Sequence, residues 1–385
     1  MNKARIKGIV FTLAFLCASL LLSGYTSPPA TSAKAFALFE AGTGRFLAGS
    51  NEDAQLPMAS TTKIMTCLLA VENCDLDEIV TVEKEAVGQE GTSMYLKEGE
   101  TLSVSDLVYG LMLSSGNDAA VMLALHMGGT VENFAAMMNA RAREIGANDT
   151  NFVTPNGLPA EGHYTTAHDL GLIAATAMGN PKFKEIVGTQ SKDLPADEDS
   201  PARYLRSKNR ILWEYEGGNG IKTGYTKAAG KCLVAGAERD GMQLVAVVLN
   251  DYNMFEDCKN LLSYGFENYA LRQVGQAGED AGRIPVTGGV TDSVGIETTE
   301  DILLPLSEEE FTMIETKTEL AEELAAPVTA GTPVGKVEYW LGEEKLAESQ
   351  IVTTEGAIEN TYGYNLGRVL QNWLFHLQWR ESANR

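Results

Sequence analysis

A serine and a lysine three positions apart are the residues of this sequence best suited to chemistry. Ser60 and Lys63 follow Pro57, in a segment whose pattern predicts a helix from Ser60 to about Val71. That spacing places both side chains on one helix face. Most later positions are apolar, so we expect the helix to be buried, and burial disfavours a charged ammonium.

A neutral Lys63 could take the proton of the Ser60 hydroxyl and turn it into a nucleophile. The alternative is structural: Ser60 caps the helix and Lys63 faces solvent. One Ser-x-x-Lys spacing does not separate the two interpretations, because a chain of 385 residues is expected to contain it by chance.

A second polar segment could reach this pair. Ser115 and Asn117 flank Gly116, which breaks one predicted helix before the next begins. The Ser115 hydroxyl could relay a proton, and the Asn117 amide could hold Lys63 and bind a substrate carbonyl. The alternative is a helix connector built from ordinary capping residues.

A third segment lies at the end of a predicted strand and runs from Lys222 to Thr226. A ligand can extend a sheet by hydrogen bonding to an edge strand, and Gly224 would allow a close approach. Lys222 would supply positive charge, and the hydroxyls of Thr223 and Thr226 could bind a carboxylate. The alternative is an ordinary lysine near a strand end.

The elements that must position these groups are strands and helices in one unit. The sequence predicts two strands within 35–48 and helices between 105 and 178. It then predicts three strands between 220 and 249 and a helix at 255–271. This order favours an α+β domain at 33–275, in which helices pack on a five-stranded antiparallel sheet. A stretch with only a loose polar pattern follows the helices, from about residue 178 to about residue 203, before the three strands begin.

The remainder of the chain differs in pattern. Short apolar segments between glycines and prolines predict a small all-β domain at 280–357. An amphipathic helix follows at 364–380, where Arg368, Arg380 and the later Arg385 outnumber Glu381. We expect it to lie on an anionic membrane surface, the alternative being a helix packed on the β domain. Its apolar stripe consists of Leu366, Val369, Leu370, Trp373, Leu374 and Leu377.

Charge and the first residues indicate where the protein works. The net charge of -22 argues against nucleic acid as a partner. Lys3, Arg5 and Lys7 precede an apolar run and then small residues, which predicts a signal peptide at 1–32, cleaved between residues 26 and 35. The alternative is an uncleaved anchor, for which the run is short. The expected location is the cell-wall space, on the outer face of the plasma membrane.

The cysteines predict no metal site. Four remain after cleavage, and their spacings match no zinc pattern. We expect buried free thiols, with a bridge between Cys232 and Cys258 left open. The four are Cys67, Cys74, Cys232 and Cys258.

Together the three segments form a known signature. Ser-x-x-Lys, Ser-x-Asn and Lys-Thr-Gly, in that order, are typical of penicillin-binding proteins and class A β-lactamases. The flanking residues resemble more specifically the low-molecular-mass penicillin-binding proteins of the D-alanyl-D-alanine carboxypeptidase family. The resemblance covers nearly the whole mature chain, and is strongest at 57–66, 113–120, 152–158 and 220–226.

The resemblance implies a serine-type carboxypeptidase without a cofactor. It would remove the last D-alanine of peptidoglycan stem pentapeptides ending in D-Ala-D-Ala, and β-lactam antibiotics would acylate it. Ser60 would be the nucleophile, Lys63 the base and Ser115 the proton relay to the leaving amine. The backbone N–H groups of Ser60 and Tyr225 would form the oxyanion hole.

Other residues are implied to bind substrate. Lys222, Thr223 and Thr226 would hold the terminal carboxylate, supported by Asn209 and Arg210. The sequence departs from the family at residues 251–255, where family members often carry an arginine and this chain has none.

Three alternatives remain beside this interpretation. A class A β-lactamase needs a glutamate after the second motif, and Glu161, the sole candidate, has the wrong context. A DD-endopeptidase of the same superfamily stays open, because the motifs do not separate it. A non-catalytic wall-binding scaffold is disfavoured by the intact Ser60, Lys63, Ser115 and Lys222.

Overall fold

The computed structural model describes residues 27–196 and 200–383, and the chain divides into two units between Ala270 and Leu271. Most of the predicted signal peptide, residues 1–26, lies outside the described residues. The strands of the first unit are β1 (Ala35–Glu40), β2 (Arg45–Ser50), β3 (Ile79–Thr81), β4 (Thr101–Ser103), β5 (Ser191–Leu194), β6 (Arg203–Arg206), β7 (Gly218–Thr226), β8 (Gly230–Arg239) and β9 (Met242–Leu249).

Helices fill most of the chain between these strands. They are α1 (Lys63–Asn73), α2 (Val104–Leu113), α3 (Asn117–Gly128), α4 (Val131–Ile145), α5 (Ala167–Met178), α6 (Pro181–Gly188), α7 (Ile211–Glu214) and α8 (Met254–Asn268).

The central sheet has the strand order β2-β1-β9-β8-β7, and every pairing is antiparallel. All residues of β1 and β9 are buried, because helices such as α5 and α8 pack against the central strands. Strand β7 lies at an edge, which leaves one side of it open. The predicted five-stranded antiparallel sheet with packed helices is confirmed.

The helix predicted from Ser60 has two parts. Ala59–Thr62 form a 3-10 turn, and the α-helix begins only at Lys63. Ala59 has φ 50°, and the Thr61 and Thr62 hydroxyls donate to the carbonyls of Met58 and Ala59 at 2.7 and 2.9 Å. These local bonds compete with α-helical geometry, so the prediction of an α-helical start at Ser60 was wrong.

Sequence analysis missed structure in the polar stretch before residue 203. Helix α6 begins after Asn180, whose Oδ1 accepts from the amides of Lys182 and Phe183, with Pro181 in the first turn. An Asn-Pro start is a helix signal in the sequence. The β5–β6 hairpin that follows has no comparable signal.

The elements of the remaining chain are β10 (Ala270–Gly275), β11 (Asp280–Thr287), β12 (Ser293–Thr298), β13 (Ile302–Leu306), α9 (Glu308–Thr312), β14 (Ile314–Leu320), β15 (Leu324–Ala325), β16 (Pro333–Leu341), β17 (Glu344–Thr353) and α10 (Tyr362–Ala383). The second unit contains a sheet with the order β14-β16-β17-β12-β11-β15, a β10–β13 pair and a core of its own. The predicted β domain is confirmed, and the structure adds the five-residue helix α9, which begins with a capping box of Ser307 and Glu310.

Helix α10 corresponds to the predicted amphipathic helix. Its apolar side chains are exposed as far as residue 374, with Leu366 at 47% and Trp373 at 61%. Over this length the stripe therefore does not pack on the β sheet. Among the described residues, no helix has both the length and the hydropathy to cross a bilayer.

The four cysteines are free thiols in the structure. Cys67, Cys232 and Cys258 are buried, and Cys74 is half-buried. Burial raises the pKa of Cys232 to about 11, so it is protonated at neutral pH.

Candidate active site

The 3-10 turn, the α2–α3 connection and the edge strand β7 meet at a cleft of about 580 Å³. Most of the predicted site residues line it. Lys63 and Lys222 are buried below its surface. The predicted residues at the surface of the cleft are Ser60, Ser115, Asn117, Thr223, Gly224, Tyr225 and Thr226.

Lys63 has the surroundings of a neutral amine. It is fully buried, and its Nζ lies 3.0 Å from the Ser60 Oγ. Its pKa is well below the ordinary lysine value, first because of burial and then because of the positive charge of Lys222. The Nζ also lies 2.7 Å from both the Asn117 Oδ1 and the Asn156 carbonyl. A neutral amine can donate its two hydrogens to these oxygens and keep its lone pair for the Ser60 hydroxyl.

Asp118 anchors a loop at the edge of the cleft. Its carboxylate accepts the amides of Met94 and Leu96 at 3.0 Å each and the Ser93 hydroxyl at 2.5 Å. Its charge raises the pKa of Lys63, but less than burial lowers it. The adjacent loop residues Gly91 and Thr92 line the cleft.

Ser115 is held in an unusual backbone conformation at this loop. Its φ is 62°, and its carbonyl accepts the Thr92 hydroxyl at 2.5 Å. The Asn117 amide nitrogen donates to the Glu90 carbonyl at 2.5 Å, while its oxygen faces Lys63. Left-handed backbone in a non-glycine residue is strained, and such strain concentrates at functional sites.

The loop at residues 153–163 supplies contacts that sequence reasoning missed. The Asn156 carbonyl faces Lys63, and the Thr66 hydroxyl donates to the Pro155 carbonyl at 2.6 Å. Buried His163 accepts the Val153 amide at its Nδ1, 3.0 Å away, so its Nε2 carries the hydrogen and donates to Thr62 at 2.9 Å. Burial lowers the pKa of His163 to about 4, which keeps it neutral. From the sequence, the segment 152–158 is recognisable only by its resemblance to the carboxypeptidase family.

Gly157 brings this loop against the turn that carries the serine. Its φ is +85°, and a Cβ at this position would lie 1.9 Å from the Ala59 carbonyl oxygen. No other residue fits there without moving the backbone.

Lys222 lies deeper than the sequence suggested. It is 2% exposed, and its Nζ donates to the Thr223 carbonyl at 3.0 Å. Burial, helped by the charge of Lys208, lowers its pKa to about 7. The structure therefore does not bring its ammonium to the surface of the cleft, where Thr223 and Thr226 are found.

Gly224 lines the cleft and also lies against the serine turn. A Cβ at this position would lie 3.1 Å from both the Met58 carbonyl oxygen and the Ser60 amide nitrogen. A side chain here would therefore press on the serine turn. The glycine thus allows the β7 backbone to pack against Ser60.

Arg210 does not reach the cleft. It bonds to Glu214 at 2.5 Å, whereas Lys208, two residues earlier, lines the cleft. The buried Asn209 accepts the Ile211 amide at 3.1 Å and so orders the start of α7. After β9, the cleft is lined by Met254 and Phe255.

Residues 23–253 match the family of D-alanyl-D-alanine carboxypeptidases. The chain belongs to this family. Residues 269–357 match the C-terminal domain of penicillin-binding protein 5, so the second unit also follows a known family domain.

Individual relatives agree with this membership. D-alanyl-D-alanine carboxypeptidase DacF of Bacillus subtilis is 30% identical over 90% of this chain and 92% of its own. DacD of Salmonella typhimurium is 33% identical over 85% and 87%. The structure of penicillin-binding protein 5 from Haemophilus influenzae superposes with a TM-score of 0.73 at 28% identity, covering 87% of this chain and 100% of the other.

The cleft of this protein does not have the arrangement that a class A β-lactamase requires. Glu161 is exposed and does not line the cleft. Among the described lining residues there is no carboxylate. In the described lining of the cleft, no glutamate is therefore placed to activate a water molecule for fast deacylation.

Proposed function

We infer that this protein is a serine-type D-alanyl-D-alanine carboxypeptidase. It removes the terminal D-alanine from peptidoglycan stem pentapeptides through an acyl-enzyme on Ser60, and penicillin acylates the same residue. The observation that carries this conclusion is the fully buried Lys63, whose Nζ lies 3.0 Å from the Ser60 Oγ and whose pKa is lowered by burial, in the fold of this family.

Acylation follows from these contacts. Lys63 takes the hydroxyl proton as the Ser60 Oγ attacks the carbonyl carbon of the penultimate D-alanine. The N–H groups of Ser60 and Tyr225 stabilise the oxyanion, which the close packing of β7 on the serine turn supports. The proton then passes through Ser115 to the leaving amine, the peptide bond breaks, and D-alanine departs.

Deacylation returns the enzyme to its starting state. Water attacks the ester carbonyl and gives its proton to Lys63, and the Ser60 Oγ then leaves and takes this proton back from Lys63. Lys63 serves both steps, because the described lining of the cleft offers no carboxylate base.

Substrate binding uses the edge of the sheet. The stem peptide lies along β7, Asn117 binds one of its carbonyls, and Thr223 and Thr226 receive the terminal carboxylate. Lys222 acts from below, through the field of its partly charged amine and through its bond to the Thr223 carbonyl.

The test is incubation of the soluble protein with a pentapeptide ending in D-Ala-D-Ala, followed by mass spectrometry. Loss of one alanine by the wild type and not by Ser60→Ala is expected. Benzylpenicillin should add covalently to Ser60, and an adduct on another residue would refute the assignment. Cleavage of a cross-linked muropeptide dimer with no release of alanine would indicate the endopeptidase instead.

We also propose that the protein attaches to the outer face of the membrane through α10. The exposed apolar stripe supports this, since interfacial helices bury such a stripe among lipid headgroups. The mature protein should float with anionic liposomes, and a truncation ending at Gly363 should not. As a matched pair, Trp373→Ser should weaken flotation and Gln371→Ser should not. If the mature protein stays at the bottom of the gradient, the attachment is wrong.

We also propose that the protein is exported and that its leader is cleaved before Ser32, slightly earlier than the predicted end of the signal peptide at residue 32. The Ser32 amide donates to Asp257 at 2.6 Å, and its hydroxyl hydrogen-bonds to Asp251. Asp251 is fully buried, so loss of Ser32 would remove donors from a buried carboxylate. Mass spectrometry of the secreted protein should give an N-terminus between residues 27 and 32. A later N-terminus contradicts the proposal.

A further inference from the structure

The loop that follows β9 brings no basic side chain to the described lining of the cleft. The loop that follows β9 contains Asp251, Tyr252 and Asn253, none of them basic. Lys222 is buried and bonds to a backbone carbonyl. A substrate carboxylate that enters this cleft therefore needs a positive side chain from elsewhere.

Lys231 is exposed and lines the cleft. It is the second residue of β8, after Gly230, and lies directly opposite Tyr225 in the β7–β8 register. Opposed residues in antiparallel strands share a face, and so do residues two apart on one strand. Lys231 therefore shares a face with Tyr225 and with Thr223, whose hydroxyl is proposed to receive the carboxylate.

The side chain of Lys231 bonds to a backbone carbonyl and not, in the described structure, to a carboxylate. Its Nζ donates to the Tyr252 carbonyl at 3.2 Å, on the loop that lacks a basic residue. A lysine has three N–H donors, so two remain. Within the described part of the chain Lys231 forms no salt bridge, whereas Lys259 is held by both Glu214 and Glu256.

We propose that Lys231 binds the C-terminal carboxylate of the substrate and supplies the positive charge that the loop after β9 does not provide. It is a specificity-determining residue, because it distinguishes a free carboxylate from a blocked one. The proposal rests on the carboxypeptidase function inferred above. The same contact would receive the carboxylate of penicillin.

The experiment compares charged and neutral ligands of the same shape. One pair is a peptide ending in D-Ala-D-Ala and its C-terminal methyl ester, which keeps the scissile amide. The second pair is benzylpenicillin and its methyl ester. The variants are Lys231→Ala, Lys231→Arg and Lys208→Ala. The control is Lys227→Ala, which removes an exposed lysine from the same hairpin outside the cleft.

Lys231→Ala should lower kcat/KM for the free peptide by about 10- to 100-fold, the usual effect of losing a charged hydrogen bond. The ester should lose less than about threefold, as for a screened surface charge. Lys231→Arg should restore most of the difference, and Lys227→Ala should show none. Equal losses on acid and ester, or a carboxylate-specific loss in Lys208→Ala alone, would overturn the proposal.

The penicillin pair separates this proposal from the function on which it rests. If the wild type released no alanine, the carboxypeptidase assignment would fail. The rate of acylation by penicillin and by its ester would still decide the role of Lys231. If Lys231→Ala slows acylation by benzylpenicillin more than acylation by its methyl ester, the proposal is supported. If the variant slows both reactions by the same factor, the proposal is refuted.

Discussion

Lys63 illustrates how one side chain depends on partners from separate parts of the chain. Its Nζ contacts Ser60 from its own turn, Asn117 from the start of α3 and the Asn156 carbonyl from a loop. Desolvation is the largest cause of its lowered pKa, and the charge of Lys222 adds to it. A neighbouring positive charge makes a buried amine harder to protonate.

The first prediction concerns Lys63→Met, which retains the length of the side chain and removes the base. Acylation by benzylpenicillin should slow by about 10²–10⁴-fold, the usual contribution of a general base. In the wild type, the rate should fall as the pH drops through the lowered pKa of Lys63, since only the neutral amine accepts a proton.

The measurement is the second-order acylation rate from about pH 5 to about pH 10, a range that ends near the ordinary pKa of a solvent-exposed lysine. Circular dichroism of the variant should show an intact fold. A wild-type rate that rises only near that ordinary lysine pKa would contradict a neutral Lys63 at physiological pH.

A second prediction at this scale concerns stability. Lys222 has a pKa of about 7 in the folded protein and about 10.4 when unfolded. Between these values the unfolded state binds more protons, so wild-type stability gains from this group as the pH rises. Lys222→Met should therefore be more stable than the wild type near pH 7 or below, on the order of a few kcal/mol, and the gain should vanish by about pH 10.

Urea unfolding of both proteins at about pH 6 and about pH 10 measures this difference, with Lys227→Met as the exposed control. A gain that is the same at both pH values would show that the buried charge is not its cause. Catalysis by Lys222→Met should fall even though its stability rises, as is common when a functional group is buried at a cost.

At the scale of elements, the site depends on backbone packing as much as on side chains. The 3-10 turn with Ser60 is held between β7, which approaches at Gly224, and the loop at Gly157. His163 ties the same loop to the turn through Thr62. A displacement of either neighbour would move the Ser60 hydroxyl relative to Lys63.

Gly157→Ala tests this packing. The added Cβ would lie 1.9 Å from the Ala59 oxygen, so the turn or the loop must move. We expect a lower melting temperature and penicillin acylation slowed by more than about tenfold, because small misplacements of reacting groups are costly.

Gly162→Ala is the matched control for this variant. Gly162 has a similar φ of +79°, but its Cβ would meet only the Asn151 Nδ2, at 3.6 Å. It should therefore lose stability through backbone strain and keep its acylation rate. Equal acylation rates in the two variants would show that the contact with the Ser60 turn does not position the nucleophile.

At the scale of the whole molecule, the two units have separate hydrophobic cores, and every described site residue belongs to the first. A protein limited to residues 27–270 should therefore fold and react with benzylpenicillin at a rate within a few-fold of the longer chain. Thermal unfolding and acylation kinetics, with Ser60→Ala of the same length as control, measure this. A fragment that aggregates or does not react would show that the second unit is needed for the fold of the first.

The sequence by itself determined the central sheet, many of the helices around it, the order of the motifs and the family. Hydrophobic periodicity and glycine turns depend on neighbours in the chain, which is why the five-stranded sheet and the helix at Val131–Ile145 were predictable. The motifs identified Ser60, Lys63, Ser115 and Asn117 as candidate site residues, because residue type and spacing are local features of the chain.

Only the tertiary structure decided how these residues are used. Burial depends on what packs above a residue, so the sequence predicted that Lys222 supplies charge to the cleft but not that it lies beneath the surface, where the structure places it. The role of Gly224 became visible only with the Ser60 turn beside it, and Asn156 and Lys231 only with the loops that surround them. Desolvation and contacts between residues distant in sequence arise when the chain folds, and local patterns do not encode them in a readable form.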